Sequence, residues 1–386
     1  MTTLSVPDET AQAHSVAMIA HINKKIAEYG GGCLPFDHYM HEALYAPNIG
    51  YYTAGSPKLG SAGDFITAPE LSPLFGKTLA AALKPHLQRF PSATILELGP
   101  GSGKLAVDIL LSLEQQNALP VHYYLLEVSA DLKHCQQAYL RVHLSPALFA
   151  RCQWLEALPA CFEGIILANE VLDALAVQIF RIEEHGMSEL SLSLTTAQAW
   201  RLNFTASTSV ELEERVIQLK QRYHLPCGYQ SEVNLRQEAL LKSLAAILKR
   251  GVLLFIDYGF NGFEFYHPER SMGTLQCHYR HHNHSDPLWL PGLQDITSHI
   301  DFTALATCGI EAGLALSVYC TQAEFLMQHG ILSLSQASNE VALIQQSQAL
   351  QKLLMPHEMG ELFKVMAFHK DCVNPFVAMV DKRHTL

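Results

Sequence analysis

The chain has 386 residues, 49% of them hydrophobic and 16% charged, with a net charge of −11 at pH 7. That is material for one large domain with additions or two closely joined ones, and the acidic balance argues against duplex nucleic acid while leaving room for a basic peptide. No uninterrupted apolar run approaches the ~20 residues needed to cross a bilayer, and the nine cysteines stand singly, without a C-x-x-C pair, as reduced thiols do.

The amino terminus has no basic segment followed by an apolar core and is acidic without arginine, so the expected location is the cytoplasm. Residues 11–45 read as helix in two pieces, broken by Gly30-Gly-Gly-Cys-Leu-Pro35. An aromatic turn, Tyr45-Ala-Pro-Asn-Ile-Gly-Tyr-Tyr52, follows. Next come Gly63-Asp64-Phe65 and Thr67-Ala-Pro-Glu70, polar groups among turn residues ahead of a helix in which Pro73 suits the first turn. This segment is a plain capping loop, or it folds over the mouth of a cofactor site with Asp64 meeting a polar group there.

Residues 94–104, Thr-Ile-Leu-Glu-Leu-Gly-Pro-Gly-Ser-Gly-Lys, organise the chain. Ile95, Leu96 and Leu98 predict a buried strand, and residues 105–113 predict a helix. A phosphate loop requires G-x-x-x-x-G-K-[ST], but Gly99 and Gly103 are one residue too close, and Leu105 stands where a hydroxyl is needed. A dinucleotide fold requires G-x-G-x-x-G, and this spacing is G-x-G-x-G. With Glu97 two residues before Gly99, the pattern E-x-G-x-G-x-G fits S-adenosylmethionine (SAM), whose methionine part carries no phosphate. A bland strand–turn–helix is the remaining reading. Residues 121–127 form another apolar run ending in Glu127, placed to take two ribose hydroxyls at the end of the next parallel strand.

Residues 130–143 read as a helix and 149–155 as a strand, on which Trp154 or Leu155 packs into the core or against adenine. Gly164-Ile-Ile-Leu-Ala-Asn-Glu-Val-Leu-Asp-Ala174 predicts a buried strand with Asn169, Glu170 and Asp173 at its carboxyl end, where open α/β sheets bind ligands. On a following helix or turn, the acids at i and i+3 would face one side. Glu170 and then Asp173 are the candidates for gripping an acceptor. Asp173 as a helix cap is the competing reading, and Asn169 would shape the cofactor or acceptor pocket.

Residues 177–205 alternate as antiparallel strands do, 211–222 predict a charged helix, and 225–232 return to the core. A helix at 235–249 and a strand at 252–256 restart the α/β alternation. Residues 260–291 read as a long irregular, substrate-facing loop. Its Cys277, His278, His281, His282 and His284 match no usual zinc spacing, so no metal is assigned. Asp301 predicts a cap for a helix at 302–311, and His299 is either an acceptor-binding or a structural histidine. Residues 314–320 and 362–368 predict the closing strands.

Gly50-Tyr-Tyr52, residues 63–75, Glu97-Leu-Gly-Pro-Gly-Ser-Gly103, Ala168-Asn-Glu-Val-Leu-Asp-Ala174, residues 294–302 and residues 358–365 together resemble the MidA family, over residues 34–368. One departure is Ala176, where the family usually carries proline. Mitochondrial members of that family help assemble respiratory complex I and are protein-arginine methyltransferases. The resemblance therefore implies SAM as cofactor and a protein acceptor, with a respiratory-complex subunit as one candidate; a small-molecule methyltransferase and an assembly factor that binds SAM without catalysis are the other readings. Charge and the short apolar runs imply no nucleic acid and no membrane insertion, and a homodimer is allowed.

The expected fold is a class I SAM-methyltransferase, Rossmann-like, with a seven-stranded, mostly parallel sheet. Residues 1–90 form a helical cap and covering loop, and 91–386 the core, with insertions near 177–230 and 260–300. Asp64, Thr67, Glu97, Gly99, Gly101, Gly103, Glu127 and Asn169 are the expected cofactor residues. Glu170, Asp173 and His299 are the expected catalytic ones, in direct in-line methyl transfer. Arginine stays protonated at working pH, so a carboxylate fork would orient its nitrogen more than deprotonate it.

Overall fold

Seven strands carry the glycine-rich turn and the acid-tipped segments: Thr94–Leu98 (β1), Tyr123–Leu126 (β2), Cys152–Leu155 (β3), Phe162–Asn169 (β4), Leu248–Phe260 (β5), Ala315–Thr321 (β6) and Phe363–Lys370 (β7). The computed structural model describes residues 7–54, 67–90, 92–335, 339–376 and 380–386. The strand order is β6-β7-β5-β4-β1-β2-β3, and the two-residue strand Ile300–Asp301 adds to the end of β5. Strands β5, β4, β1, β2 and β3 run parallel to one another, and β7 runs antiparallel to β5 and β6. This is the seven-stranded class I arrangement.

Every residue of β1 is buried, as expected of a parallel strand covered on both faces. Leu98 pairs with Leu126 on one side and Ala168 on the other, and Asn169 pairs with Ile256. The carboxyl ends of β1, β2, β4 and β5 therefore lie side by side, and Gly99, Glu127, Glu170 and Asp257 belong to one edge.

Three helices position that edge: Pro73–Arg89 (α1), Lys104–Gln115 (α2) and Ala130–His143 (α3). Pro73 occupies the first turn of α1, where its missing N–H costs nothing, and the Ser72 hydroxyl accepts from Leu74 N. Ser129 caps α3 by accepting from Leu132 N. Leu79 and Leu83 of α1, Ile109 and Leu110 of α2, and Ile95 and Leu167 of the sheet share one apolar core, each such side chain stabilising the fold by about 1.5–3 kcal/mol.

The chain forms two compact units. This sheet belongs to the unit made of Ile66–Leu172, Leu240–Asn261 and Ile300–Leu386; the other unit comprises Met1–Phe65, Asp173–Ala239 and Gly262–His299. Helix α1 therefore falls with the sheet, and the first border lies near residue 65 where the sequence placed it at 90. The other unit holds the helices Glu9–Glu28 and Phe36–Tyr45 and a five-stranded antiparallel sheet. In that sheet Met187–Leu194 pairs with Cys33–Pro35, Gln178–Ile182 and Trp200–Thr205.

Two expectations need correction there. Residues 225–232, read as returning to the core, stay in this other unit, where Gln230–Val233 pairs antiparallel with Gln178–Ile182. Nor is 260–291 irregular throughout. Gln276–Tyr279 and His282–His284 form a hairpin that also pairs with Asp295–Thr297. Its two-residue turn, Arg280 and His281, takes φ of +47° and +62°, the twist that suits a tight hairpin.

Candidate active site

After Leu98 the chain turns through Gly99, Gly101 and Gly103, with φ of +56°, +55° and +84°. Glycine adopts this conformation without steric cost. Gly103 has a second reason to lack a side chain, since a Cβ there would stand 2.6 Å from Leu140 Cδ1 on α3. Gly99 N donates to Leu126 O at 3.0 Å and ties the turn to the end of β2. The short helix Ala68–Leu71 holds the turn as well: Glu70 accepts from the Ser102 hydroxyl and pairs with Lys104 Nζ at 2.6 Å.

Glu97, two residues before the turn, is closed to solvent and accepts a 2.8 Å hydrogen bond from the Tyr123 hydroxyl. Burial pushes its carboxyl up to about 7, against the lowering effect of Tyr123; the nearby Glu127 charge adds to the rise. Glu127 follows β2 and is half-buried. Its Oε1 accepts from Ser129 N at 2.8 Å and its Oε2 from Gln136 Nε2 at 2.9 Å, so its plane is fixed before any ligand arrives.

At the end of β4, Asn169 Oδ1 is buried and, among the described residues, has no hydrogen-bond partner. An unsatisfied buried acceptor is costly, so an N–H donor is wanted beside the glycine turn. The amino group of SAM's methionine part would supply one, and Gly99, exposed and without a side chain, allows close approach to the backbone. The residues present fit that cofactor. Glu170 adopts φ of +53°, unusual for a residue with a Cβ. Its N donates to Ile256 O at 2.9 Å, and its Oε1 accepts from Ala68 N at 3.2 Å and Asn169 Nδ2 at 3.1 Å. Asp257 Oδ2 accepts from Leu172 N at 2.9 Å and steadies the segment beyond it.

Glu97, Gly99, Gly101, Gly103, Glu127, Asn169 and Glu170 thus belong to one unit and one sheet edge. Thr67, at the N-cap position of Ala68–Leu71, makes no side-chain capping bond. Asp64 lies outside the described residues. Asp173 and His299 belong to the other unit, where Ser298 N donates to Asp173 O at 3.1 Å and His299 N to Thr274 Oγ1 at 3.1 Å. Asp173 caps no helix, because left-handed Glu170 turns the chain and the next element is the strand Gln178–Ile182. The i, i+3 helical argument for Glu170 and Asp173 therefore does not apply. Asp301 does cap its helix, accepting from Thr303 N and Ala304 N. Among the described residues no group of three or more His, Cys, Asp or Glu side chains is placed to hold a metal ion.

The sequence reading missed Gln136 and Glu70. Gln136 is a polar residue fully buried on α3, and its only signal is its place four residues before the buried Leu140. Trp154 packs against the apolar core, and its indole donates to Gln136 Oε1 at 2.9 Å.

Residues 75–320 match the model of a family described as "Putative S-adenosyl-L-methionine-dependent methyltransferase". A protein from Burkholderia thailandensis, crystallised with S-adenosyl-homocysteine bound, is 39% identical over all of both chains, with a TM-score of 0.93. The mitochondrial protein arginine methyltransferase NDUFAF7 of Xenopus tropicalis is 30% identical over 90% of this chain and 84% of its own. That of Danio rerio is 29% identical over 90% and 86%.

Proposed function

We propose that this chain, which belongs to the MidA family of S-adenosyl-L-methionine-dependent methyltransferases, transfers a methyl group to an arginine side chain of a protein. The observation that carries the reading is the left-handed glycine turn set between Glu127 and Glu170 on one sheet edge, in a chain whose relatives are named protein arginine methyltransferases.

The cofactor supplies an electrophilic methyl on a sulfonium sulfur. When bound, its methionine part would lie along the glycine turn, Asn169 Oδ1 would accept from its amino group, and Glu127 would accept from its ribose hydroxyls. Glu170 takes the guanidinium: its carboxylate accepts a charge-assisted N–H bond and draws charge toward that side, leaving one nitrogen turned to the methyl. Ala68 N and Asn169 Nδ2, both donating to Oε1, hold the carboxylate for this work. Asp173 and His299 are the next residues to test as acceptor ligands.

A basic protein segment suits a chain with a net charge of −11, and a respiratory-complex subunit is the acceptor to try first. Nine cysteines that form no disulfide suit a reducing compartment such as the cytoplasm. No helix among the described residues is long and apolar enough to cross a membrane.

Incubation with radiolabelled SAM and a hypomethylated lysate tests the activity. A labelled protein band that yields methylarginine on hydrolysis supports it. Label confined to small molecules, or binding without transfer, contradicts it.

A further inference from the structure

Gln136 is fully buried in the middle of α3, and its one amide is bonded on both sides. Nε2 donates to Gly101 O at 2.9 Å and to Glu127 Oε2 at 2.9 Å, while Oε1 accepts from Trp154 Nε1 at 2.9 Å. An indole can only donate. Trp154 therefore decides which way round the amide sits, and both amide N–H groups are left to the turn and the acid. Reversing the amide would put oxygen against a carbonyl and a carboxylate and N–H against N–H. Ser129 N holds the other carboxylate oxygen, so Glu127 cannot follow a displaced Gln136 without giving up a second bond.

We propose that Gln136 is a positioning residue of the cofactor site, locking the glycine turn and the Glu127 carboxylate in one fixed relation, with Trp154 setting the sense of its amide. It rests on the reading of Gly101 and Glu127 as cofactor ligands. One side chain thereby couples the ends of the site that meet the methionine part and the ribose. A residue that only filled the core at this place would need no polar atoms, and burying an amide is unfavourable unless each of its groups is bonded.

The test is calorimetric binding of S-adenosylhomocysteine and its 2′-deoxy analogue to the wild type, Gln136→Met and Trp154→Phe; no acceptor is needed. Methionine keeps the length of the side chain and removes its hydrogen bonds. The wild type is expected to prefer the parent ligand by about tenfold or more, as a charged acceptor's hydrogen bond implies. Gln136→Met should bind the parent about 10- to 100-fold more weakly and lose most of the preference for the 2′-hydroxyl. Trp154→Phe, which keeps an aromatic ring but not the donor, should move both quantities the same way by a smaller factor, and it decides the matter if Gln136→Met fails to fold. Weaker binding with the preference intact would mean general loosening and overturns the proposal. So does wild-type behaviour of both variants. Failure of the wild type to bind S-adenosylhomocysteine would overturn the cofactor reading together with it, and the two failures are told apart by that single control.

Discussion

Tyr123 donates its hydroxyl to Glu97 Oε2 at 2.8 Å inside the sheet, and neither side chain reaches solvent. The pair ties β2 to β1 one turn of chain before the glycines. It also makes the stability of the protein depend on pH. Burial raises the Glu97 carboxyl from 4.5 to about 7, so between those values the folded chain holds a proton that the unfolded chain has released. The stabilisation is fully present below pH 4.5 and is lost as pH rises through about 7. At 1.36 kcal/mol for each pKa unit, that is on the order of 3 kcal/mol.

Glu97→Gln should remove that dependence. Chemical denaturation from pH 4.5 to 8 should show a flatter stability profile in the variant. Asp108, pushed up by burial to about 6, acts with the same sign, while His86 and His329, pushed down by burial to about 4, act with the opposite sign, so the Glu97 share is the difference between the two profiles at pH 6–7. A variant profile as steep as the wild type's at pH 6–7 would contradict the assignment.

Gly103→Ala puts a Cβ 2.6 Å from Leu140 Cδ1 and holds a side chain at φ of +84°. Strain of this kind costs about 1–3 kcal/mol. The melting temperature should fall, and S-adenosylhomocysteine should bind more weakly because the buried Leu140 side chain must give way against the turn. Gly186→Ala has open space around its Cβ and a similar φ of +89°, so it should show the backbone cost without the clash or the loss of binding.

Glu170→Gln keeps the size of the side chain and removes its charge. Methyl transfer should fall about 100-fold, a loss typical of a misplaced reactant, while affinity for S-adenosylhomocysteine stays near the wild-type value. Asp173→Asn, measured in the same assay, ranks the second candidate: a loss of transfer with unchanged affinity makes it an acceptor ligand. Unaltered transfer by Glu170→Gln would remove Glu170 from the reaction.

Much of the nucleotide-binding half was legible because its signals are local. An apolar run before three spaced glycines predicts a strand, a turn and a helix whatever lies around them, and Ser129 marks the start of α3 to the residue. Gln136 was not legible, because its role depends on Gly101, Glu127 and Trp154, which lie 35, 9 and 18 residues away. The hairpin at Arg280 and His281 was hidden for another reason: neither residue is the Asn-Gly that usually marks such a turn, and histidines obscure the alternation of its strands. Asp173 looked like a cap because a strand end followed by an acid commonly precedes a helix. The left-handed Glu170 is tied by its backbone N–H to Ile256 O and by its carboxylate to Ala68 N, both far from it in sequence.

The claim beneath all of this is that the turn through Gly101 receives the cofactor. Titration of the wild type and Gly101→Val with S-adenosylhomocysteine in a calorimeter tests it most directly. A β-branched side chain at φ of +55° fits neither the backbone nor the turn's close approach. The account predicts saturable binding to the wild type and none to a Gly101→Val chain whose circular dichroism shows the sheet intact. Equal affinity in the two would contradict it.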